Sequence, residues 1–375
     1  MSTERDHPLV DLPAMDVAGR VPRLREAIAA DAADALLVTK LVNVRYLTGF
    51  TGSAALLLVL PDEVVLVTDG RYGQQASEQL ASAGVEARVE VSGTKQRELA
   101  SSAVAAAAVP RLGLEADAVT WAQQRTYAES WFPEVELVAT VGLVDGLRLV
   151  KDDGEVARIE AAADIADRAL ANVRSRLSEG PSESEFGLEL DFEIRRLGAS
   201  GNSFETIVAS GPNGAKPHHR PSSRRIAEGD LVVLDFGAVV DGYCSDMTRT
   251  VMVGEPSPVQ ARMIEVVTAA QQAGVDAVAA GVATAEVDRA CRAVIEEAGW
   301  GDAFLHATGH GVGLEIHEAP RVAATADATL SPGVVVTVEP GVYLPTHGGV
   351  RVEDTLVVTR DGSRPLTSTP KTSAV

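Results

Sequence analysis

Cysteine is almost missing from this chain, with only Cys244 and Cys291 among 375 residues. Two thiols in unrelated contexts make neither a CxxC pair nor a disulfide framework, which suits a reducing cytosol. Both are expected to act as small buried hydrophobes. Positive charge is also in deficit: 33 Lys and Arg against 53 Asp and Glu leave a net charge of −20. Such a surface repels a phosphate backbone, so nucleic acid is excluded as a partner. Long apolar runs are lacking too. The Ala-rich stretch Ala103 to Val109 falls well short of the roughly 18 residues that span a bilayer. The opening MSTERDHPLVDLP has no basic-then-apolar layout of a secretory signal. A cytoplasmic protein without a membrane partner is expected.

What is present is enough apolar material for real cores, 46% of residues, in a chain too long for one ordinary core. Two domains are expected, spanning 1–148 and 149–375. The first half alternates. Helical spacing in 21–33 leads to a strand at 35–39, and AALLLVL (54–60) and VVLVT (64–68) flank a short turn at Pro61-Asp62-Glu63. Helical stretches near 71–83, 95–108 and 120–131 then interleave with strand-like 85–91, 111–116 and 135–141. That order predicts an α/β domain with a mixed sheet. Beyond the polar break at Lys151-Asp152-Asp153-Gly154, helices are expected at about 154–178, 183–198, 257–280 and 284–298, alternating with β hairpins. The second domain therefore reads as α+β.

The hairpins carry acids where a core strand should not. LVVLDFGAVVDGYCSDMTRT (231–250) places Asp235 at the end of an apolar run and Asp246 eleven residues on. An ionised carboxylate in an apolar site is costly unless paired or bound to a cation. With Asp241-Gly242 as a two-residue turn, opposed residues have numbers summing to 483. Asp246 then faces Gly237, and Asp235 lies two positions away on the same sheet face. The two aspartates become diagonal neighbours, about 7–8 Å apart at Cα, with Gly237 expected to leave the space between them open. A second hairpin centred near Thr346 makes opposed residues sum to 692 and sets Glu339 across from Glu353. Gly229 precedes Asp235 by six residues and Gly333 precedes Glu339 by six, a faint echo that suggests duplicated β units around one site. Four converging acids cannot all stay ionised without compensating cations.

Histidine is sparse, seven residues, and five fall in two short segments. FLHATGHGVGLEIHE holds His306, His310 and His317; NGAKPHHRP holds His218 and His219. An imidazole from His310 joined to four carboxylates is a mixed nitrogen and oxygen set, suited to Mn²⁺, Co²⁺, Fe²⁺ or Zn²⁺. No HExxH, GxSxG or Cys–His pairing with an acid is apparent, and Gly309-x-Gly311-x-Gly313 is not a nucleotide loop. With no protein nucleophile in view, water activated by metal is the chemistry that fits, acting on an amide, ester or phosphate. The acidic surroundings favour a peptide with a positive N-terminus.

LDFGAVVDGYCSDMTRT, HATGHGVGLEIHE, TVEPGVY and GVRVEDT resemble the motif series of the pita-bread metallopeptidases, family M24, across about residues 150–370. The preceding part, including LVNVRYLTGFTGSAALLLV, resembles the creatinase-type N-terminal domain. Together they are similar to the Xaa-Pro aminopeptidase and Xaa-Pro dipeptidase (prolidase) branch. The resemblance implies a creatinase-like α/β domain followed by a pita-bread catalytic domain with a pseudo-twofold pair of β units. It implies two divalent metal ions, Mn²⁺ foremost with Co²⁺ or Zn²⁺ as options. Asp235 would bind one through both oxygens, Asp246 and Glu353 would bridge the two, and His310 and Glu339 would complete the second. Glu339 would also act as general base or proton shuttle, His218 and His317 would contact substrate and stabilise the oxyanion, and His306 would line the proline pocket. Arg351 would orient Glu353 or the substrate carboxylate. His219 and Arg220 read as solvated loop residues and Tyr343 as packing. The implied function is release of an N-terminal residue that precedes proline, from peptides with proline at position 2, by a self-associating enzyme. Xaa-Pro dipeptidase activity is the alternative, and an inactive peptide-binding module is the alternative of another class.

Overall fold

The computed structural model describes residues 12–371 and 374. These group into two compact units, Asp16–Arg148 and the chain from Leu149 onward. Residues 12–15, counted by the sequence with the N-terminal domain, belong to the C-terminal unit. The reason is visible at Leu12, which packs on that unit's core, and at Pro13, whose carbonyl accepts from Arg158.

The N-terminal unit alternates α1 (Arg20–Ala30), β1 (Ala35–Val38), α2 (Leu41–Thr48), β2 (Ala55–Val59), β3 (Val64–Thr68), α3 (Gly73–Ser82), β4 (Arg88–Val91), α4 (Gln96–Ala106), β5 (Arg111–Glu115), α5 (Trp121–Thr126), β6 (Glu136–Thr140) and α6 (Leu143–Arg148). Its sheet runs β4-β3-β2-β1-β5-β6. β1 to β3 pair antiparallel, whereas β5 and β6 join in parallel, the mixed sheet expected of helices interleaved with strands. The helix α2 carries little sequence signal, since its valines and asparagine are weak helix formers. It closes on Gly49 at a φ of 72°.

In the C-terminal unit the helices α7 (Asp153–Val173), α8 (Glu183–Arg196), α9 (Pro258–Ala277) and α10 (Thr284–Glu297) account for the predicted four. The first three start on capping boxes, Asp152 with Glu155, Ser182 with Glu185 and Ser257 with Gln260, each satisfying two otherwise orphaned backbone N–H groups. α7 stops short of the predicted end because its last turn tightens into a 3-10 segment that closes on Gly180.

The strands are β7 (Gly201–Asn202), β8 (Ile207–Ser210), β9 (Leu231–Phe236), β10 (Ala238–Val240), β11 (Tyr243–Cys244), β12 (Met247–Met252), β13 (Gly309–Gly311), β14 (Glu318–Val322), β15 (Val335–Val338), β16 (Gly341–Leu344), β17 (Gly348–Arg351), β18 (Asp354–Thr359) and β19 (Gly362–Pro365). They form two interrupted hairpins. β9 and β10 return as β11 and β12, and the pairs Val239–Cys244 and Phe236–Met247 keep the register sum of 483 on both sides of the break. β15 and β16 return as β17 and β18, with Gly341–Arg351 and Val338–Asp354 keeping 692 across theirs. Each hairpin is backed by its own helix pair. Ile165, Leu170, Phe186 and Leu190 of α7 and α8 bury against Leu234 and Phe236. Met263, Val267, Val287 and Ile295 of α9 and α10 bury against Val336, Val338 and Leu356. At about 1.5–3 kcal/mol per large apolar side chain, each layer is a rigid wall. Cys291 lies in the second of these cores, and Cys244 packs with Ile159, Val312 and Val335. Among the described residues, no helix is long and apolar enough to cross a membrane.

Candidate metal centre

Three of the four acids sit where the hairpins break. Asp246 lies between β11 and β12, Glu339 between β15 and β16, and Glu353 between β17 and β18, while Asp235 is the penultimate residue of β9. A backbone that leaves the ladder for two residues turns side chains inward without surrendering the register on either side. Gly237 has a different role from the expected one. A Cβ there would lie 1.9 Å from the Ser245 carbonyl oxygen and 2.8 Å from Ser203 Oγ. The glycine lets two backbones cross at the break; it does not clear a space between the aspartates.

His310 is brought in by β13, a short strand between β14 and β15 that the glycine-rich segment does not advertise. Added Cβ atoms at Gly309 and Gly311 would each come within 2.1 Å of a neighbouring strand's carbonyl oxygen, so both glycines are required by the packing of the strands. His310 Nδ1 lies 3.0 Å from the Gly311 carbonyl oxygen. With that nitrogen as donor, Nε2 keeps its lone pair and faces Asp246 Oδ2 at 3.5 Å and Glu339 Oε1 at 3.4 Å.

All nine residues singled out by the sequence line one cavity of about 600 Å³ in the C-terminal unit: Asp235, Asp246, His310, Glu339, Glu353, His218, His306, His317 and Arg351. Donor atoms of Asp246, His310 and Glu353 lie within 4.8 Å of one another. Among the described residues, Asp235 Oδ1 and Glu353 Oε1 are buried without a hydrogen-bond partner. Burial, reinforced by the charges of Glu353, Asp235 and Glu339, pushes Asp246 well above the usual carboxylate range. Burial and the Glu339 and Asp235 charges do the same to Glu353. Burial pushes Glu339 up to about 8, and it lowers His310 to about 4, leaving the imidazole a neutral donor. Orphaned carboxylate oxygens beside a neutral imidazole, in a cluster that resists its own charge, fit a divalent cation.

Arg351 is a salt-bridge partner of one of the acids. Its Nη2 donates to Asp235 Oδ2 at 2.6 Å, Nη1 to the Tyr343 hydroxyl at 2.8 Å and to the Pro217 carbonyl at 3.3 Å, and Nε to Thr248 Oγ1 at 3.1 Å. It therefore steadies Asp235 directly and Glu353 only through Thr248, whose hydroxyl donates to Glu353 Oε2 at 2.7 Å. Asp235 correspondingly has Oδ2 engaged by the guanidinium, while its Oδ1 is the buried oxygen without a hydrogen-bond partner.

Two residues read as bystanders hold the cavity together: His219 lines it, and Tyr343 lies behind two side chains that do, His306 and Arg351. The Tyr343 ring is buried, but its hydroxyl joins His306 Nε2 at 2.8 Å to Arg351. The register contained this signal: Tyr343 opposes Gly349, which makes it a diagonal neighbour of Arg351 on one face. His219 is not a solvated loop residue, because its Nε2 lies 3.0 Å from Glu183 Oε2. Arg220 is exposed, as expected, and pairs with Glu205.

Residues 157–360 match the model of metallopeptidase family M24. The chain belongs to that family. Residues 20–150 match the Creatinase/Prolidase N-terminal domain. An uncharacterized peptidase of Bacillus subtilis, YqhT, is 41% identical over 352 residues, 94% of this chain and 98% of that protein. A solved Xaa-Pro dipeptidase from Bacillus anthracis superposes with a TM-score of 0.92 at 40% identity, covering 96% of this chain and all of that one. An X-Pro aminopeptidase from Thermotoga maritima superposes at 0.86 and 33% identity, covering 93% of this chain and all of that one. The expected architecture, a creatinase-type domain followed by an M24 catalytic domain, and the expected class, a metal-dependent hydrolase, both stand.

Proposed function

We propose that this M24 enzyme hydrolyses the bond between an N-terminal residue and a following proline, with two divalent metal ions, Mn²⁺ foremost, held by Asp235, Asp246, His310, Glu339 and Glu353. The observation that carries the reading is the pair of orphaned oxygens, Asp235 Oδ1 and Glu353 Oε1, buried beside the neutral His310. When bound, the ions supply Lewis acidity toward the scissile carbonyl and acidify the attacking water.

The chain's own groups do the rest. His218 and His317 donate hydrogen bonds to the oxygen that gains charge as water adds to the carbonyl. Glu339 accepts the water proton at Oε2, the oxygen not engaged by Thr337, and returns it to the proline nitrogen as the C–N bond breaks. The His306 ring, held between Phe304 and Tyr343, supplies an apolar wall for the proline ring.

The aminopeptidase reading is preferred because Arg351, the expected clamp for a dipeptide's carboxylate, is occupied by its four contacts. The dipeptidase reading is supported by the exposed His218 in the same cavity and by the 40% identity to the Bacillus anthracis protein of that name. Turnover of an Xaa-Pro dipeptide is compared with that of an Xaa-Pro-Yaa tripeptide in Mn²⁺, Co²⁺ and Zn²⁺. Preference for the tripeptide supports the aminopeptidase, and cleavage of the dipeptide alone supports the prolidase. Metal uptake with no turnover of either would leave a peptide-binding module. Cytoplasmic location and self-association belong to the same proposal, the latter checked by sedimentation of the purified protein.

A further inference from the structure

His218 sits on a loop with no regular structure beyond a 3-10 turn at Gly211–Ala215, and it lines the cavity. The loop leaves β8 at Ser210 and returns past Ser222. Both of its ends are gathered by one carboxylate, that of Glu183, the first residue of α8 and fully buried. Glu183 Oε1 accepts from Ser210 N at 2.8 Å, Ser210 Oγ at 2.7 Å and Asn213 Nδ2 at 3.1 Å. Oε2 accepts from Ser222 N at 3.0 Å and from Ser222 Oγ, and faces His219 Nε2 at 3.0 Å. Burial pushes this carboxyl up, but the donors from Ser222, Ser210 and Asn213 outweigh it and hold it at about 2.

The residues flanking His218 are thus both tied. On one side the Pro217 carbonyl accepts from Arg351 Nη1; on the other the His219 ring meets Glu183. An irregular loop with each neighbour of one side chain anchored leaves that side chain few positions to occupy.

We propose that Glu183 is a positioning residue for the reaction: by closing the 210–222 loop on one buried carboxylate and holding His219, it sets where His218 presents its ring to the substrate. The proposal rests on the Xaa-Pro peptidase reading only for what His218 does there. Glutamine keeps the shape of the side chain but replaces one acceptor oxygen with a donor, which would face donors already present on Ser222 and His219.

The experiment is a cycle of Glu183→Gln, His218→Ala and the double variant in metal-loaded full-length protein, with kcat, KM, bound metal and amide hydrogen exchange recorded for each. Glu183→Gln is expected to lower kcat by about tenfold to a hundredfold, the range for losing a group that orients an active-site residue. KM should change less than kcat, metal content should stay unchanged, and exchange should quicken across 211–222. In the His218→Ala background the same substitution should add nothing beyond about twofold, since independent sites multiply and coupled ones do not. Full multiplication of the two effects would overturn the proposal, because Glu183 would then act on the fold at large. Unchanged exchange in 211–222 would overturn it also, and that readout stands even if no Xaa-Pro substrate is turned over. Ser222→Ala, which removes a single hydroxyl from the cluster, covers the case in which Glu183→Gln fails to fold. It should shift kcat and loop exchange in the same direction by a smaller factor, and no shift in either overturns the proposal.

Discussion

The Arg351 guanidinium and the Asp235 carboxylate form a 2.6 Å ion pair with only 3% and 13% of their side chains exposed. Arg351 brings a positive charge to the four acids by pairing directly with this one. Burial alone would lower its pKa, but the neighbouring Tyr343, Asp235 and Glu339 drive it well above its ordinary value. Arg351→Met should therefore destabilise the metal-free protein strongly, by about 3–5 kcal/mol, the cost of leaving a buried charge unpaired. Mn²⁺ should recover much of that loss by compensating the same carboxylates. Urea unfolding with and without a chelator checks both statements; a variant as stable as the parent without metal would show that Asp235 does not need this partner.

Tyr343→Phe deletes one oxygen that links His306 Nε2 to Arg351 Nη1. The ring and its packing remain, so the fold should lose only about 1 kcal/mol, the net value of a typical buried hydrogen bond. The kinetic loss should be larger, about tenfold in kcat/KM, because both partners of the missing hydroxyl line the cavity. Steady-state kinetics beside a thermal melt separates the two effects. Equal, small changes in both would return Tyr343 to simple packing.

Much of this site was legible because hairpin register is arithmetic. Once Asp241-Gly242 and the Thr346 region are taken as turns, period-two alternation assigns a face to every residue between Leu231 and Met252 and between Val335 and Thr359. The register sums then persist through both breaks. What escaped was whatever depends on long-range approach. Gly237 looks like an opening until the Ser245 carbonyl is seen against it. β13 is three residues long with glycine at both ends, below the length at which a pattern exists. Glu183 reads as an ordinary acid in the first turn of a helix, and only the fold brings Ser210, Asn213, His219 and Ser222 to it.

Metal should act on stability as well as on turnover. A ligand that binds only the folded state stabilises it by about 2.7 kcal/mol at a hundredfold excess over its Kd. Adding Mn²⁺ or Co²⁺ to chelator-treated protein should accordingly raise its Tm. Asp246→Asn keeps the shape of a side chain whose ionised form is disfavoured without cations, so the metal-free Tm should move little. The metal-induced rise should shrink or vanish, together with peptidase activity. An undiminished rise would mean that cations bind elsewhere.

Acid sensitivity should trace in part to His306, a residue outside the five-member donor set. Burial, helped by the nearby Arg351 charge, lowers its pKa from 6.5 to about 4 in the folded protein. The sign follows directly. Between pH 6.5 and 4 the unfolded chain binds a proton at this residue that the folded chain does not. The stabilisation is therefore complete above 6.5 and is lost as pH falls toward 4, amounting to about 3 kcal/mol over that window. His306→Gln lacks this titration. The stability gap between parent and variant should narrow by that amount when unfolding is measured at pH 7.5 and again at pH 4, with the parent losing more. Parallel losses in the two proteins would mean that His306 is protonated in the folded state at ordinary acidity, and that its hydrogen bonds to Tyr343 and the Ala307 carbonyl survive the charge.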